Sequence, residues 1–488
     1  MDRNKSLNST PAQVDRHDRA ISDFALDVMD VLSYEPNDDQ MTMIAAFGHF
    51  LHHGGARSTF LLNGYAGTGK TSLTGAIVRT LTQRGVKTVL MAPTGRAAQV
   101  LSEYSGHTAY TIHRKIYRQN SYLDQGFSLA DNKHTDTVFI VDEASMISNS
   151  PGLDAGATFG TGHLLDDLVG YVYAGTGCRL VLMGDSAQLP PVGQAESPAL
   201  NAQVLSGYGL SVYDIWLTQI ARQAAESGIL YNATTVRRML TTAEMAPPVI
   251  ELQQFADVEA VSGEFLLEKL SDSYDSQGQD DTIIVTRSNR RATLFNGAVR
   301  NQILYREDEL THGDMLLVAK NNYFWAADYK EIDFIANGDV ARVTRVWGEV
   351  EHRYGLRFAQ VTLEFPDHGG IEVDAKIILD SLLSDSPALT REQNERLYNE
   401  LMAEMAGDKR ARYRALKANP YFNALQVKFA YAVTCHKAQG GQWQNVFVDM
   451  GSIMPDALSS LDFMRWLYTA MTRARSHLYL INCPLECK

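Results

Sequence analysis

The sharpest chemical pattern in the chain is Gly64-Tyr65-Ala66-Gly67-Thr68-Gly69-Lys70-Thr71, a G-x-x-x-x-G-K-T spacing. Glycines at this density let the backbone wrap so that its N–H groups converge on an anion. A helix beginning at the end of the wrap adds the positive end of its dipole. The pattern predicts a cradle for nucleotide phosphates made by Gly64, Ala66, Gly67, Thr68, Gly69, Lys70, Thr71 and Ser72. Lys70 supplies a point charge to the β- and γ-phosphates, and the Thr71 hydroxyl is a Mg²⁺ ligand. ATP and Mg²⁺ are therefore the expected cofactors.

Two more patterns put reactive groups where apolar runs end. Thr137 to Val141 runs into Asp142 and Glu143, a pair suited to holding Mg²⁺ through water (Asp142) and activating the attacking water (Glu143). Leu180 to Met183 runs into "GDSAQLPPVGQ", where Gln188 can bond both a γ-phosphate and a water, and Pro190 and Pro191 fix the backbone beyond it. Such groups meet a phosphate cradle only if their strands are parallel and end on one edge of one sheet. The flanking residues agree: four strand-like residues from Thr59 precede the cradle, and a helix with Leu73, Ile77 and Leu81 on one face follows.

The chain then starts again. Strands are expected at 282–286, 445–450 and 477–482, with helices from Ser288 and over about 461–472. That alternation predicts a second parallel α/β domain, one without a phosphate loop. Arginines brought in from beyond the first domain can reach a γ-phosphate, and Arg222 and Arg473 are the candidates.

Gly64–Thr71, "APTGRAAQVL" (92–101), "YTIHR" (110–114), "VDEASM", "GDSAQLPPVG", "LTQIARQ", "TCHKAQGG" and "LYTAMTRAR" follow one another in that order. In order and wording they resemble the motifs of superfamily 1 helicases, the RecD and Dda branch in particular, from about residue 36 to 482. The resemblance implies an ATP-dependent DNA helicase moving 5′ to 3′ on single-stranded DNA and opening tailed duplexes. A single-strand translocase or remodeller that does not unwind is the alternative. It also implies two RecA-like domains with ATP at their interface, and Gln40 in "PNDDQ" as a reader of the adenine base. It carries Gln439 and Gly440 over to the nucleotide site, and Pro93, Thr94, Arg96, His113, Thr434 and His436 to the nucleic acid. The chain departs at "AQGGQW", where the family often has Ser-Gln-Gly, then a small or acidic residue, then an aromatic one.

Relatives of this branch carry a duplex-splitting hairpin and a small SH3-like β-barrel. Here the hairpin is expected near 115–136 around "DQG", with Tyr122 and Phe127 on its arms and an aromatic capping the last base pair. "NGDVARVTRVWGEVEHRYGLRFAQVTLEF" alternates as a small antiparallel barrel does. "REQNERLYNELMAEMAGDKRARYRALKANP" reads as a charged helical arm whose Lys409, Arg410, Arg412, Arg414 and Lys417 form either a solvated face or a clamp on phosphates. The expected layout is a tail and helix in 1–35, a first RecA-like domain in 36–215, a second in 216–340 and 426–488, and the barrel and arm in 341–425.

Bulk composition bounds the rest. With 488 residues the chain has room for about three domains. The net charge of −13 excludes a general polyanion binder, so nucleic acid must meet a local track. Arg96, Arg114, Lys115 and Arg118, and Arg287, Arg290, Arg291 and Arg300, are its candidates. No apolar run approaches the ~20 residues that span a bilayer, the first fifteen or so residues read as a loose polar tail, and four cysteines suit a reducing compartment. A cytoplasmic monomer, with no membrane partner and with replication or repair proteins as associates, is the expectation.

Overall fold

A computed structural model of the protein describes residues 11–121, 124–150, 160–220, 226–329, 332, 334–451 and 453–488. Its first half contributes strands β1 (Ser58–Gly64), β2 (Lys87–Ala92), β3 (Ala109–Thr111), β4 (Tyr117–Ser121), β5 (Asp124–Leu129), β6 (Thr137–Val141), β7 (Arg179–Gly184) and β8 (Ser211–Leu217). Six of these form a parallel sheet in the order β3-β2-β6-β7-β1-β8. β1 and β6 are buried along their whole length, which is why they read as near-continuous apolar runs. One face packs Phe60, Leu73 and Ile77 under helices Pro11–Val31, Asp38–His53 and Lys70–Gln83. The other packs Leu61, Phe139 and Leu180 under helix Leu164–Ala174. Each such side chain contributes about 1.5–3 kcal/mol by leaving water. Helix Pro11–Val31 begins inside the stretch expected as a loose tail.

The second half adds β9 (Val258–Val261), β10 (Thr282–Thr286), β11 (Met315–Val318), β12 (Val340–Arg353), β13 (Leu356–Phe365), β14 (Ile371–Ile378), β15 (Leu425–Phe429), β16 (Ala432–Thr434), β17 (Trp443–Asp449) and β18 (Ala474–Ile481). A second parallel sheet has the order β16-β10-β17-β18-β9, and β11 to β15 close into a barrel. The fold is therefore α/β, with two RecA-like sheets and a five-stranded barrel. The barrel is wider than 341–425, because it takes in β11 and β15. Its Val361, Phe365 and Val427 share one core with Ile284, Phe295 and Phe447 of the second domain. Barrel and second domain are thus one packed unit.

Inside that unit Arg300 and Arg306 both bind the fully buried Asp314 carboxylate, at 3.0 and 2.7 Å. Arg291 pairs with Asp449 at 2.7 Å. Arg291 and Arg300, expected in a nucleic-acid track, are spent on internal ion pairs because each lies opposite a buried carboxylate that the sequence does not reveal as a neighbour. The hairpin forms from β4 and β5 with Ser121 opposite Asp124, so "DQG" lies in β5 and not in the turn. Tyr122 lies outside the described residues. The arm, helices Arg391–Glu404 and Lys409–Lys417, packs Leu397, Leu401 and Leu416 onto Leu356 and Phe358 of the barrel.

Candidate active site at the domain seam

In the sheet order β6, β7 and β1 are neighbours, so Asp142, Asp185 and the Gly64–Thr71 loop leave on one edge. The loop closes with Gly69 at φ +77°, and a Cβ there would stand 2.6 Å from Gln40 Nε2. Only glycine fits. Helix Lys70–Gln83 starts directly after it, with Thr71 and Ser72 in its first turn. Lys70 Nζ folds back and donates to the Gly64 carbonyl at 3.2 Å. Gln40, expected at the base, is buried and braces the loop: Nε2 donates to the Thr68 carbonyl at 2.9 Å, and Oε1 accepts from Asn37 N–H at 3.1 Å.

At the end of β6 the Asp142 carboxylate accepts the Glu143 N–H at 2.8 Å. Glu143 sits at φ +51°, a left-handed conformation that is costly for a residue with a Cβ and tends to occur at functional sites. Its Oε2 is buried with no hydrogen-bond partner, and so is Oε1 of Gln188. Leaving a buried acceptor unpaired costs ~1–3 kcal/mol each, so both are acceptors held ready for a donor. Burial pushes Asp142 up to about 6, with Lys70 opposing and Glu143 adding to the rise. Burial likewise raises Asp185, against the pull of Lys70 and a hydrogen bond from Tyr468. Buried carboxylates around one lysine, beside the Thr71 hydroxyl, are a fitting oxygen donor set for Mg²⁺.

The second domain closes on this edge through particular atoms. The Tyr468 hydroxyl donates to Asp185 Oδ2 at 2.6 Å and accepts the Ala66 N–H at 2.9 Å. The Leu189 peptide is held on both sides: its N–H by Thr469 Oγ1 and its C=O by Gln439 Nε2, both at 2.8 Å. Ala187 and Leu189 are buried in the second domain's own core with Val433, Phe463 and Tyr468. Gly440, at φ +75°, lies so near the first domain that a Cβ would sit 3.0 Å from that of Ala97.

Arg96, expected on the nucleic acid, lies half-buried in this seam with its guanidinium 4.4 Å from the Trp443 ring centroid and Nη2 donating to the Gln442 carbonyl at 3.3 Å. Arg473 is buried and donates to the carbonyls of Thr469 and Gly441 at 3.0 and 3.2 Å. Arg222 lies outside the described residues.

Four residues were missed. Tyr468 and Thr469 lay unassigned inside "LYTAMTRAR", although a hydroxyl pair there was a visible signal. Arg237 reaches across to within 4.4 Å of the Tyr65 ring centroid, and Arg465 donates to the Ala195 carbonyl at 2.6 Å. No sequence signal marks either arginine. A cavity of about 530 Å³ at the seam is lined by Tyr65, Asp185, Gln188, Trp216 and Arg465.

A larger cavity, about 1940 Å³, opens beside the first domain and is lined by Pro93, Thr94, His113, Phe127, Lys320 and Asn321 among others. Thr94 also caps helix Gly95–Ser105, accepting the Ala97 N–H at 3.2 Å. Burial brings the His113 imidazole down to about 4. Phe127 stands on an arm of the hairpin, mid-strand in β5, with its ring centroid 4.4 Å from that of Tyr323. Thr434, at the end of β16, and the exposed His436 stand apart from this lining.

An AAA domain family matches residues 37–231, and the UvrD-like helicase C-terminal domain family matches 429–481. The chain is 26% identical to the ATP-dependent RecD2 DNA helicase of Deinococcus radiodurans, over 86% of this chain and 46% of that one. It therefore spans about half the length of that relative. It is 24% identical to the ATP-dependent DNA helicase dda of Enterobacteria phage T4, over 86% of this chain and 93% of that one. These matches make the chain similar to helicases of the RecD/Dda-like kind. Among solved structures, a Bacteroides Pif1 helicase in complex with ADP-AlF3 and ssDNA covers 92% of both chains at 14% identity with a TM-score of 0.46. Among the described residues no helix is long and apolar enough to cross a membrane.

Proposed function

We propose that the chain is an ATP-dependent DNA helicase that moves 5′ to 3′ along a single strand and separates tailed duplexes. The observation that carries this reading is the Leu189 peptide, held from both sides by the second domain one residue away from Gln188 at the phosphate edge. A change in what Gln188 bonds is thereby felt by the second domain and by the barrel packed with it. The strand meets Pro93, Thr94, His113 and Phe127 in the large cavity, with Thr434 and His436 on the second domain. In this reading the Gly64–Thr71 loop and Lys70 hold the phosphates, Glu143 takes the proton of the attacking water, and Gln188 orients that water. Asp142 and Thr71 would hold Mg²⁺, which when bound would neutralise charge on the phosphates. Gln40 both braces the loop and faces the base. Arg473, with Arg222, meets the γ-phosphate, with the Gly441 and Thr469 carbonyls storing the Arg473 guanidinium at the seam between cycles. DNA preference rests on likeness to relatives named as DNA helicases, and direction on the resemblance of the motifs to the RecD and Dda branch.

The test is unwinding of duplexes with a 5′ tail only or a 3′ tail only, with ATP and Mg²⁺ and with Lys70→Ala as the inactive control. Unwinding confined to the 5′ tail is expected. Unwinding from the 3′ tail alone overturns the direction. Strand-stimulated ATPase without unwinding of either makes the chain a translocase.

A further inference from the structure

The large cavity has another wall, built by the helical arm. Leu397, Leu401 and Leu416 are turned onto the barrel, and this fixes what the other faces of the two helices present. Tyr398, Arg414 and Lys417 line the same cavity as Thr94 and His113. Arg391 lines it too, but Glu395 answers it at 2.6 Å and also faces the cavity, so that pair brings little net charge. Among the described residues neither Arg414 nor Lys417 has a carboxylate partner. The Lys417 ammonium is enclosed, finds no hydrogen-bond acceptor, and lies 4.7 Å from the Tyr413 ring centroid. A shielded ammonium without an acceptor is a cost that an arriving anion removes. Tyr398 remains 40% exposed, enough to leave a ring face for stacking. Cations that track a backbone beside an aromatic platform are how proteins hold single strands without reading their sequence.

We infer that the inner face of the arm is a second grip on the single strand, with Arg414 and Lys417 on backbone phosphates and Tyr398 under a base. The inference rests on the strand-binding reading above and adds a site to it. Its consequence is mechanical. The arm packs on the barrel, the barrel shares its core with the second domain, and Thr94 and His113 belong to the first domain. A strand held by both walls therefore registers the angle between the two domains.

The experiment is the salt dependence of oligo(dT) binding by the full chain without nucleotide, followed by fluorescence anisotropy. Each lost phosphate contact lowers the slope of log affinity against log salt by about 0.7 on a single strand. Arg414→Gln should lower it by about 0.7, and Arg414→Gln with Lys417→Gln by about 1.4. Tyr398→Ala should weaken binding about tenfold at fixed salt. Arg414 is exposed, so its variant should melt as the wild type does and report contact rather than folding. Wild-type slopes in both charge variants, with oligo(dT) still bound tightly, overturn the arm's role and leave the helicase reading standing. Failure of the wild-type chain to bind oligo(dT) at all overturns both.

Discussion

The coupling role of the Leu189 peptide can be broken with two nearly isosteric changes. Thr469→Val removes the oxygen that accepts the Leu189 N–H, and Gln439→Leu removes the amide that donates to its C=O. Thr469 is fully buried and Leu189 is 8% exposed, so water cannot easily take over either bond. Each change leaves one buried peptide group unpaired at a cost of about 1–3 kcal/mol, while the apolar packing around Ala187 and Leu189 stays. A loss of one or two kcal/mol from the closed seam is roughly a 5–30-fold shift toward the open arrangement. Stimulation of ATPase by oligo(dT) should fall by about that factor in each single variant. The double variant should fall by less than the product, because both changes act on one peptide. Thr286→Val is the control: that residue is equally buried, and its hydroxyl bonds, 3.1 and 3.3 Å to Ser288 and Val433 carbonyls, stay within the second domain. It should lower the melting midpoint and leave the stimulation ratio alone. Full stimulation and full unwinding in Thr469→Val would refute the coupling argument, whatever its stability.

Three other outcomes are expected. Glu143→Gln should retain ATP binding, read by a fluorescent analogue, and lose about 10²–10⁴ in hydrolysis rate, the usual range for a removed general base. Arg96→Gln should weaken the seam, since a desolvated cation–π contact is worth about 2 kcal/mol or more, and leave the salt slope of oligo(dT) binding unchanged. A slope lowered by about 0.7 would instead put Arg96 on a phosphate. Asp314→Asn should cost about 3–5 kcal/mol in denaturant unfolding, because it strands the buried Arg300 and the half-buried Arg306. Burial raises the Asp314 pKa, but bonds from Arg300, Thr311 and Arg306 outweigh it and hold the value below 3.8. The stability it contributes is therefore complete above the unfolded value, near 3.8, and is lost as pH falls further, which acid melts of wild type and variant should show.

What was readable in advance follows from where the information sits. β1, β6 and β7 are apolar because helices cover both faces, and their chemistry begins at the first polar residue after each run, so strand and site announce themselves together. The barrel's outer members did not. β11 pairs with β15, with Leu316 opposite Phe429, and nothing local to a four-residue buried strand distinguishes a barrel from a sheet. Tyr468 lay in plain view, but its partner Asp185 is 283 residues away. Arg300 and Arg96 misled for one reason: a basic residue in the sequence shows its charge and hides its partner, here Asp314 and Trp443.

The site of Arg96 nonetheless shows that "PTGR" touches both the seam and the large cavity. Thr94 lines the large cavity and caps helix Gly95–Ser105, two residues before the Arg96 side chain enters the seam. At the same turn a Cβ on Gly95 would stand 2.8 Å from Asp339 Oδ1, just before β12 of the barrel, and Gly440 of the second domain approaches Ala97. One helical turn of the first domain is thus packed against the barrel, the second domain and the large cavity at once. Rotation of the second domain cannot leave Thr94 undisturbed, because close-packed neighbours transmit displacement and do not absorb it. In the proposed mechanism the link between hydrolysis and strand movement therefore needs no long relay: it runs from Gln188 through the Leu189 peptide to Gly440, and from Gly440 to the turn that carries Thr94.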